Sequence, residues 1–298
     1  MKTFGAFFFY GEIMFIQGNG RQLLLDRVRV MGILNMTPDS FSDGGRFNSR
    51  DKALYRVESM LKDGADLIDV GGESTRPGAA EVSVAEELDR VIPIIESIVS
   101  NFDTFISVDT SRPEVISAAY MAGADLINDV RALENPGALA AVAQTDLPVC
   151  LMHIRGTPKN MQDHPEYQDP VADIYDYLAA RVQACVELGI AHNRIIIDPG
   201  FGFGKTLPHN LALLAGLSRF KLLNLPILVG ISRKTMIGEI LNKPVAERVT
   251  GSVAAAVIAA VNGADIVRVH DVKETVEAIK VFNAQRQWAI SSEKYFDR

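Results

Sequence analysis

The sequence predicts one α/β domain, a single (β/α)₈ barrel of the TIM type with a short N-terminal extension, on three observations. First, a Gly-Ala-Asp tripeptide introduces an apolar run three times, at Gly64-Ala65-Asp66, Gly123-Ala124-Asp125 and Gly263-Ala264-Asp265. Each reads as a helix stopped at glycine and followed by a strand. Second, eight such apolar runs alternate with helical patterns, and eight βα units in this length close into a barrel. An open doubly wound sheet is the alternative with the same alternation. Third, the runs are apolar almost throughout, as strands covered by helices on both faces must be.

In chain order, residues 1–20 are read as the extension, 21–290 as the barrel and 291–298 as a C-terminal tail. The aromatic run from Phe4 to Tyr10 is short, is soon followed by Glu12 and lacks a small-residue cleavage site, so no secretory signal is expected. Met14 is an alternative start, because a strand-like lead-in resumes after Gly18. The strands fall at 28–34, 66–70, 104–109, 125–128, 148–152, 194–198, 226–231 and 265–269. Helical spacing of apolar residues marks 51–63, 84–100, 171–188 and 246–262 among the segments between them. No low-complexity segment divides the chain, and no later segment is apolar for long enough to span a bilayer.

Composition bounds the function. With 48% hydrophobic residues in 298, the chain buries a large single core. A net charge of -7 supplies no basic face for nucleic acid, so any anionic ligand must meet a local cluster of cations. The two cysteines, Cys150 and Cys185, have neither zinc-site nor disulfide spacing and are expected as reduced thiols in a cytoplasmic protein.

The strand ends carry the chemistry. In order, the runs exit onto Asn35, onto Asp69 with Glu73, onto Asp109, onto Asn128 with Asp129, onto His153, onto Asp198, onto Ser232-Arg233-Lys234, and onto Arg268 with His270. In a barrel these arrive at one rim, where the active sites of this fold lie. Helix capping is the competing reading, and Asp109-Thr110-Ser111 ahead of Pro113 has that look. Capping does not account for the arginine, lysine and histidines, since helix N-termini disfavour cations.

Gly200-Phe201-Gly202-Phe203-Gly204-Lys205-Thr206 has the wrong spacing for a nucleotide phosphate loop, whose first glycine would fall at Pro199. Its glycines are expected to let the backbone approach a flat ligand. Two loops, 37–45 and 71–78, mix glycines with polar side chains and are candidates for closure over a site.

Taken together, MGILNMTPDSFSDGG from Met31, IDVGGESTRPGA from Ile68, SVDTSRPEV from Ser107, IND from Ile127, DPGFGFGK from Asp198, GISRK from Gly230 and RVHDV from Arg268 resemble the bacterial dihydropteroate synthases. The resemblance runs in order from about Val28 to the last helix; only the leader before about Gly18 departs from it. It implies displacement of diphosphate from 6-hydroxymethyl-7,8-dihydropterin diphosphate by the amine of 4-aminobenzoate. The catalytic set it implies is Asn35, Asp43, Lys234, Arg268 and His270. Asp198 would accept the donor edge of the pterin, Asp109 and Asn128 the other ring nitrogens, and Lys234 would reach its oxygen and N5. Val130, Met152, Phe203, Gly230 and Arg268 complete that pocket, although Val130 and Met152 also suit plain barrel core.

Diphosphate would meet Asn35, Arg268, His270 and Mg²⁺, with Asn35 as the metal ligand; His270 also suits a satisfied rim histidine. Aminobenzoate, and sulfonamides in its place, would lie among Phe41, Thr75, Arg76, Pro77, Phe203 and Ser232, with Asp43 facing a pterin cation. The resemblance also implies a homodimer, with no nucleic-acid or membrane partner. Two rivals share the pterin carboxylates: the folate-binding module of corrinoid methyltransferases, and a barrel that binds pterin without catalysis. The diphosphate set and the two glycine-flanked loops separate the expected enzyme from both.

Overall fold

The computed structural model describes residues 14–36, 46–74, 82–157 and 161–296, with side chains left out at 46–49, 290 and 293–296. A hairpin comes first. Strands β1 (Phe15–Gly18) and β2 (Arg21–Leu24) pair antiparallel through a two-residue turn, where Asn19 and Gly20 take the positive φ values (47° and 82°) that tight hairpins need. The expected boundary at residue 20 therefore falls inside an ordered hairpin.

Eight parallel strands follow: β3 (Arg29–Asn35), β4 (Leu67–Gly71), β5 (Phe105–Asp109), β6 (Leu126–Asp129), β7 (Val149–Met152), β8 (Ile195–Asp198), β9 (Leu228–Val229) and β10 (Ile266–Val269). Their order is β8-β7-β6-β5-β4-β3-β10-β9, and an Ile197–Ile227 bridge joins the two ends, with Ile197 N–H donating to Pro226 O at 3.0 Å. The sheet is thus a closed barrel, and the open-sheet alternative falls. β9 is shorter than the run at 226–231, since Pro226 has no N–H to give and the chain leaves the ladder at Gly230 to turn at Ser232-Arg233.

The helices are α1 (Arg46–Lys62), α2 (Val84–Asn101), α3 (Pro113–Ala122), α4 (Ala138–Ala143), α5 (Pro170–Glu187), α6 (Leu207–Ala215), α7 (Thr235–Leu241), α8 (Val249–Val261) and α9 (Val272–Phe296). α2 opens on a capping box between Ser83 and Glu86, and α5 on Asp169, whose carboxylate accepts from Val171 N and Ala172 N. α9 continues through the segment read as a tail.

The barrel fills from the bottom. Met31, Leu67, Phe105, Leu126, Cys150, Ile196, Leu228 and Ile266, one from each strand, form a buried layer plugged from below by Ile16, Leu23 and Leu25. Side chains on a strand alternate, so the next inward positions are two residues on. These are Ile33, Asp69, Ser107, Asn128, Met152, Asp198, Gly230 and Arg268, so one step up the interior turns polar or charged on five strands and stays apolar on three. The outward positions, such as Val70, Val108, Leu151 and Ile197, belong to the larger core beneath the helices.

The repeated tripeptide has a structural purpose beyond stopping helices. Gly64, Gly123 and Gly263 take φ of 98°, 98° and 107°, and the aspartates after them reach across to the neighbouring strand. Asp66, Asp125 and Asp265 accept the amides of Val30, Ile106 and Ile227 at 2.9, 2.8 and 2.8 Å. Each also pairs with a cation, from Arg29, Arg21 and Lys221 respectively. The same stitch three times at the strand starts holds the end of the barrel opposite the site.

Candidate active site

At the C-terminal mouth, carboxylates and cations from distant strands meet. Arg268 donates from Nε to Asp69 at 2.6 Å and from Nη2 to Asp109 at 2.9 Å. Asp69 also accepts from Ser107 Oγ at 2.6 Å and from Asn128 Nδ2 at 3.3 Å. Burial works against the charge of Arg268, yet Asp69 and Asp109 outweigh it and hold the guanidinium above its ordinary range. Burial raises Asp109, with Arg268 opposing the rise and Asp69 adding to it.

Asp198 closes β8 with one oxygen engaged: Oδ1 accepts the Gly200 amide at 2.7 Å. Burial raises its pKa, and Lys234 pulls the other way. Lys234 donates to Phe201 O and lies 4.3 Å from the centre of the Phe203 ring. Burial pushes this ammonium down to about 8, against the attraction of Asp198. Lys234 therefore changes charge in a range where catalysis runs, which an exposed lysine would not.

On the other side of Arg268, Ser232 Oγ accepts the His270 amide at 3.2 Å and lies 3.2 Å from its Nδ1. Arg56 of α1 donates to His270 O at 2.9 Å. Arg233, between Ser232 and Lys234, is bent to φ 59° and held by Ser252 Oγ and Asp271. Asn35 stands half-buried at the top of β3. Met152 and Gly230 are buried, and a small cleft is lined by Asp109, Val130 and Phe203 together with Glu73 and Ser74. Asn35, Asp109, Asn128, Val130, Met152, Asp198, Phe203, Gly230, Ser232, Lys234, Arg268 and His270 thus share one end of the barrel. Phe41, Asp43, Thr75, Arg76 and Pro77 lie outside the described residues.

Several expectations need correction. The glycines of 200–204 do not clear space for a ligand; a Cβ at Gly200 would lie 1.9 Å from His153 O, and one at Gly204 2.5 Å from Arg155 O. What approaches Gly200 and Gly204 closely is the protein's own backbone, and at Gly202 it is the Lys234 side chain, 3.1 Å from the place of a Cβ. His153 and Asp129 come one residue after inward-facing Met152 and Asn128, so alternation turns them outward. His153 packs edge-on against Tyr177 with ring centres 4.9 Å apart, and burial holds its pKa down at about 2. Asp129 accepts from Ser111 Oγ and from the Arg131 and Leu133 amides. Asp109-Thr110-Ser111 does not cap α3, whose N-cap is Arg112 without a side-chain bond. Ser107 was missed as a site residue, and Asp69, read at the rim, was given no role there, although counting inward positions by two from Leu67 and Phe105 finds both.

A parallel barrel whose mouth sets buried acceptors beside lysine, arginine and histidine can hold a flat polar heterocycle next to an anionic tail, and its class is the pterin-binding enzymes by the match that follows. A family model described as pterin binding enzyme matches residues 31–270. The dihydropteroate synthase of Escherichia coli strain K12 is 57% identical over 265 residues, 89% of this chain and 94% of that protein. The Yersinia pestis dihydropteroate synthase, solved as a complex with a sulfonamide drug, superposes with a TM-score of 0.88 at 57% identity, covering 92% of this chain and all of that one (100%). The Xanthomonas albilineans enzyme in complex with 7,8-dihydropteroate gives 0.84 at 47% identity, covering 91% and 98%. The chain belongs to the dihydropteroate synthases, transferases of folate biosynthesis that join a dihydropterin diphosphate to 4-aminobenzoate.

Proposed function

We propose that this chain makes 7,8-dihydropteroate by dissociation first and amine attack second, with the mouth residues in the roles their positions allow. The observation that carries the reading is the gathering of Asp198, Lys234, Arg268 and His270 at one rim. The free Oδ2 side of Asp198 takes two donors of the pterin edge, Asp109 and Asn128 take ring nitrogens, and Lys234 takes the pterin oxygen and N5. Val130, Met152, Phe203 and Gly230 supply the apolar walls.

The bond from the pterin methylene carbon to oxygen breaks, and its electron pair leaves with diphosphate, whose growing charge meets Asn35, Arg268 and His270. The cation left behind is delocalised into the pterin ring. The nitrogen lone pair of 4-aminobenzoate then forms the new carbon–nitrogen bond, and a proton passes from that nitrogen to solvent. An aromatic amine needs no strong base to be nucleophilic. Ser232 and the start of α7 hold the aminobenzoate carboxylate, while Phe41, Thr75, Arg76, Pro77 and Phe203 enclose the ring and Asp43 faces the cation.

Mg²⁺ fits this site as an ion held largely by diphosphate oxygens. Asn35 offers a hard amide oxygen, and among the described residues no cluster of three acidic, histidine or cysteine side chains could hold a metal alone. When bound it would neutralise charge on the leaving group. A sulfonamide occupies the aminobenzoate place, as the drug complex of the Yersinia pestis relative supports.

A homodimer through the outer helices is supported by exposed Ile240 and Leu241 of α7, Val245, and Ile258 and Val261 of α8. A cytoplasmic setting is supported by two buried free cysteines, and no helix among the described residues is long and apolar enough to cross a membrane. The test is a diphosphate-release assay with each substrate alone and with both. Diphosphate and 7,8-dihydropteroate appearing in equal amounts support the reading; no product with both substrates and magnesium present overturns it.

A further inference from the structure

We infer that Lys205, which touches no proposed ligand, is the positioning residue of the pterin pocket. From the centre of the loop that follows β8 it sets where Lys234, Phe203 and Asp198 stand. The inference rests on the reading that Asp198 and Lys234 hold the pterin.

The loop 200–204 has almost no backbone partner of its own. Gly200, Gly202 and Gly204 take φ of 72°, 78° and 64°, and these reversals turn successive carbonyls in different directions. Side chains take up every one. Lys205 Nζ donates to Gly200 O at 2.8 Å and Phe203 O at 3.0 Å. Gln162 takes Gly202 O at 2.7 Å, Tyr167 takes Gly204 O at 2.8 Å, and Lys234 takes Phe201 O. Lys205 alone ties two points of the loop together, and it reaches a third outside it, lying 2.9 Å from His153 Nδ1 on the chain leaving β7.

The chemistry of the lysine suits this use. Burial pulls the pKa of Lys205 well below the ordinary lysine range, against the attraction of Asp198, yet amine and ammonium alike carry the two N–H groups that Gly200 O and Phe203 O take, and His153 Nδ1 fills the next place around Nζ. Burial and the nearby Lys205 both keep the His153 ring uncharged. Lys205 is only 3% exposed, so its Nζ contacts all lie inside the protein and none is left for a substrate. The consequence passes directly to the pocket. Asp198 Oδ1 accepts the amide of Gly200, Lys234 donates to the carbonyl of Phe201, and the Phe203 ring lies beside the Lys234 ammonium. Each of these three contacts depends on where Lys205 holds the loop.

The test is Lys205→Met, which keeps the length and removes the Nζ donors, assayed by steady-state kinetics and by calorimetry with a non-reacting pterin diphosphate analogue. The expected result is a rise of at least tenfold in KM for the pterin substrate and in Kd for the analogue. Turnover at saturation should change by less than about threefold, because the diphosphate residues are untouched. Lys205→Gln, which keeps one donating group, should fall between wild type and Lys205→Met, a graded response that mere loss of stability would not produce.

Asp198→Asn serves as the control for the underlying reading. If it abolishes analogue binding while folded Lys205→Met binds as wild type does, the positioning role alone is overturned. If Asp198→Asn also binds normally, the reading beneath it fails. Should neither lysine variant accumulate as folded protein, Lys205 serves the fold as a whole, and the assignment is equally overturned.

Discussion

Replacing Asp198 with Asn separates pterin recognition from every other property of the mouth. The Gly200 amide 2.7 Å from Oδ1 requires an acceptor there, so the new amide oxygen stays on that side and the NH₂ takes the place of Oδ2. The group facing the pterin then changes from acceptor to donor. Losing a hydrogen bond to a charged acceptor costs about 1.5–3 kcal/mol, and leaving buried donors opposed adds about 1–3 kcal/mol. A combined loss of roughly 3–5 kcal/mol, at about 1.4 kcal/mol per decade, weakens pterin binding some hundred- to few-thousand-fold. The change is nearly isosteric, so the barrel should fold as before. Calorimetric titration with a pterin diphosphate analogue reads the loss directly, and thermal unfolding checks the fold. A dissociation constant within threefold of wild type would refute the assignment of Asp198 and the orientation derived from Gly200.

Other perturbations test other parts of the mouth. Because burial brings Lys234 down to about 8, its charge is lost as pH rises through that value, and kcat/KM for the pterin substrate should fall there. On the acid side, Asp109 and Asp198 are raised by burial, so the same parameter should fall at a pH above the ordinary carboxylate range. A profile flat through mildly alkaline pH would contradict the Lys234 assignment, and one flat down into the ordinary carboxylate range would contradict that of the aspartates. Arg268→Ala leaves Asp69 and Asp109 buried without their cation, at a cost of about 3–5 kcal/mol in stability and with a sharp loss of turnover. Urea denaturation and steady-state rates check the two effects, and near-normal turnover with saturating magnesium would move the diphosphate site elsewhere. Gly200→Ala puts a Cβ 1.9 Å from His153 O at a φ of 72°, where the left-handed backbone alone costs about 1–2 kcal/mol. It should therefore lower stability and pterin affinity together; an unchanged denaturation midpoint would show that the loop relaxes freely.

The linear chain already determined a good deal. Apolar runs of strand length, helix stops at Gly64, Gly123 and Gly263, and polar residues at strand ends are local signals. They were enough to predict the barrel and to collect Asp109, Asn128, Asp198, Lys234 and Arg268 at one rim. Periodicity and capping depend on neighbours a few positions away, and a sequence displays those directly.

What only the tertiary structure decided is which groups meet. Arg268 finds Asp69 and Asp109 across 199 and 159 positions of chain, a pairing set by how the strands stagger when the sheet closes. The glycines of 200–204, read as room for a ligand, curl the backbone around Lys205, because carbonyls turned inward there need donors and its Nζ reaches those of Gly200 and Phe203. His153 and Asp129, which share the rim in sequence, face outward because a strand alternates its side chains and each comes one residue too late. The aspartates after the repeated Gly-Ala pairs stitch neighbouring strands for a similar reason, since an acceptor at the start of one strand lies level with the amide of the next only once both are in register. Distance along the chain sets the order of the groups; the geometry of closure sets which of them stand within hydrogen-bond reach.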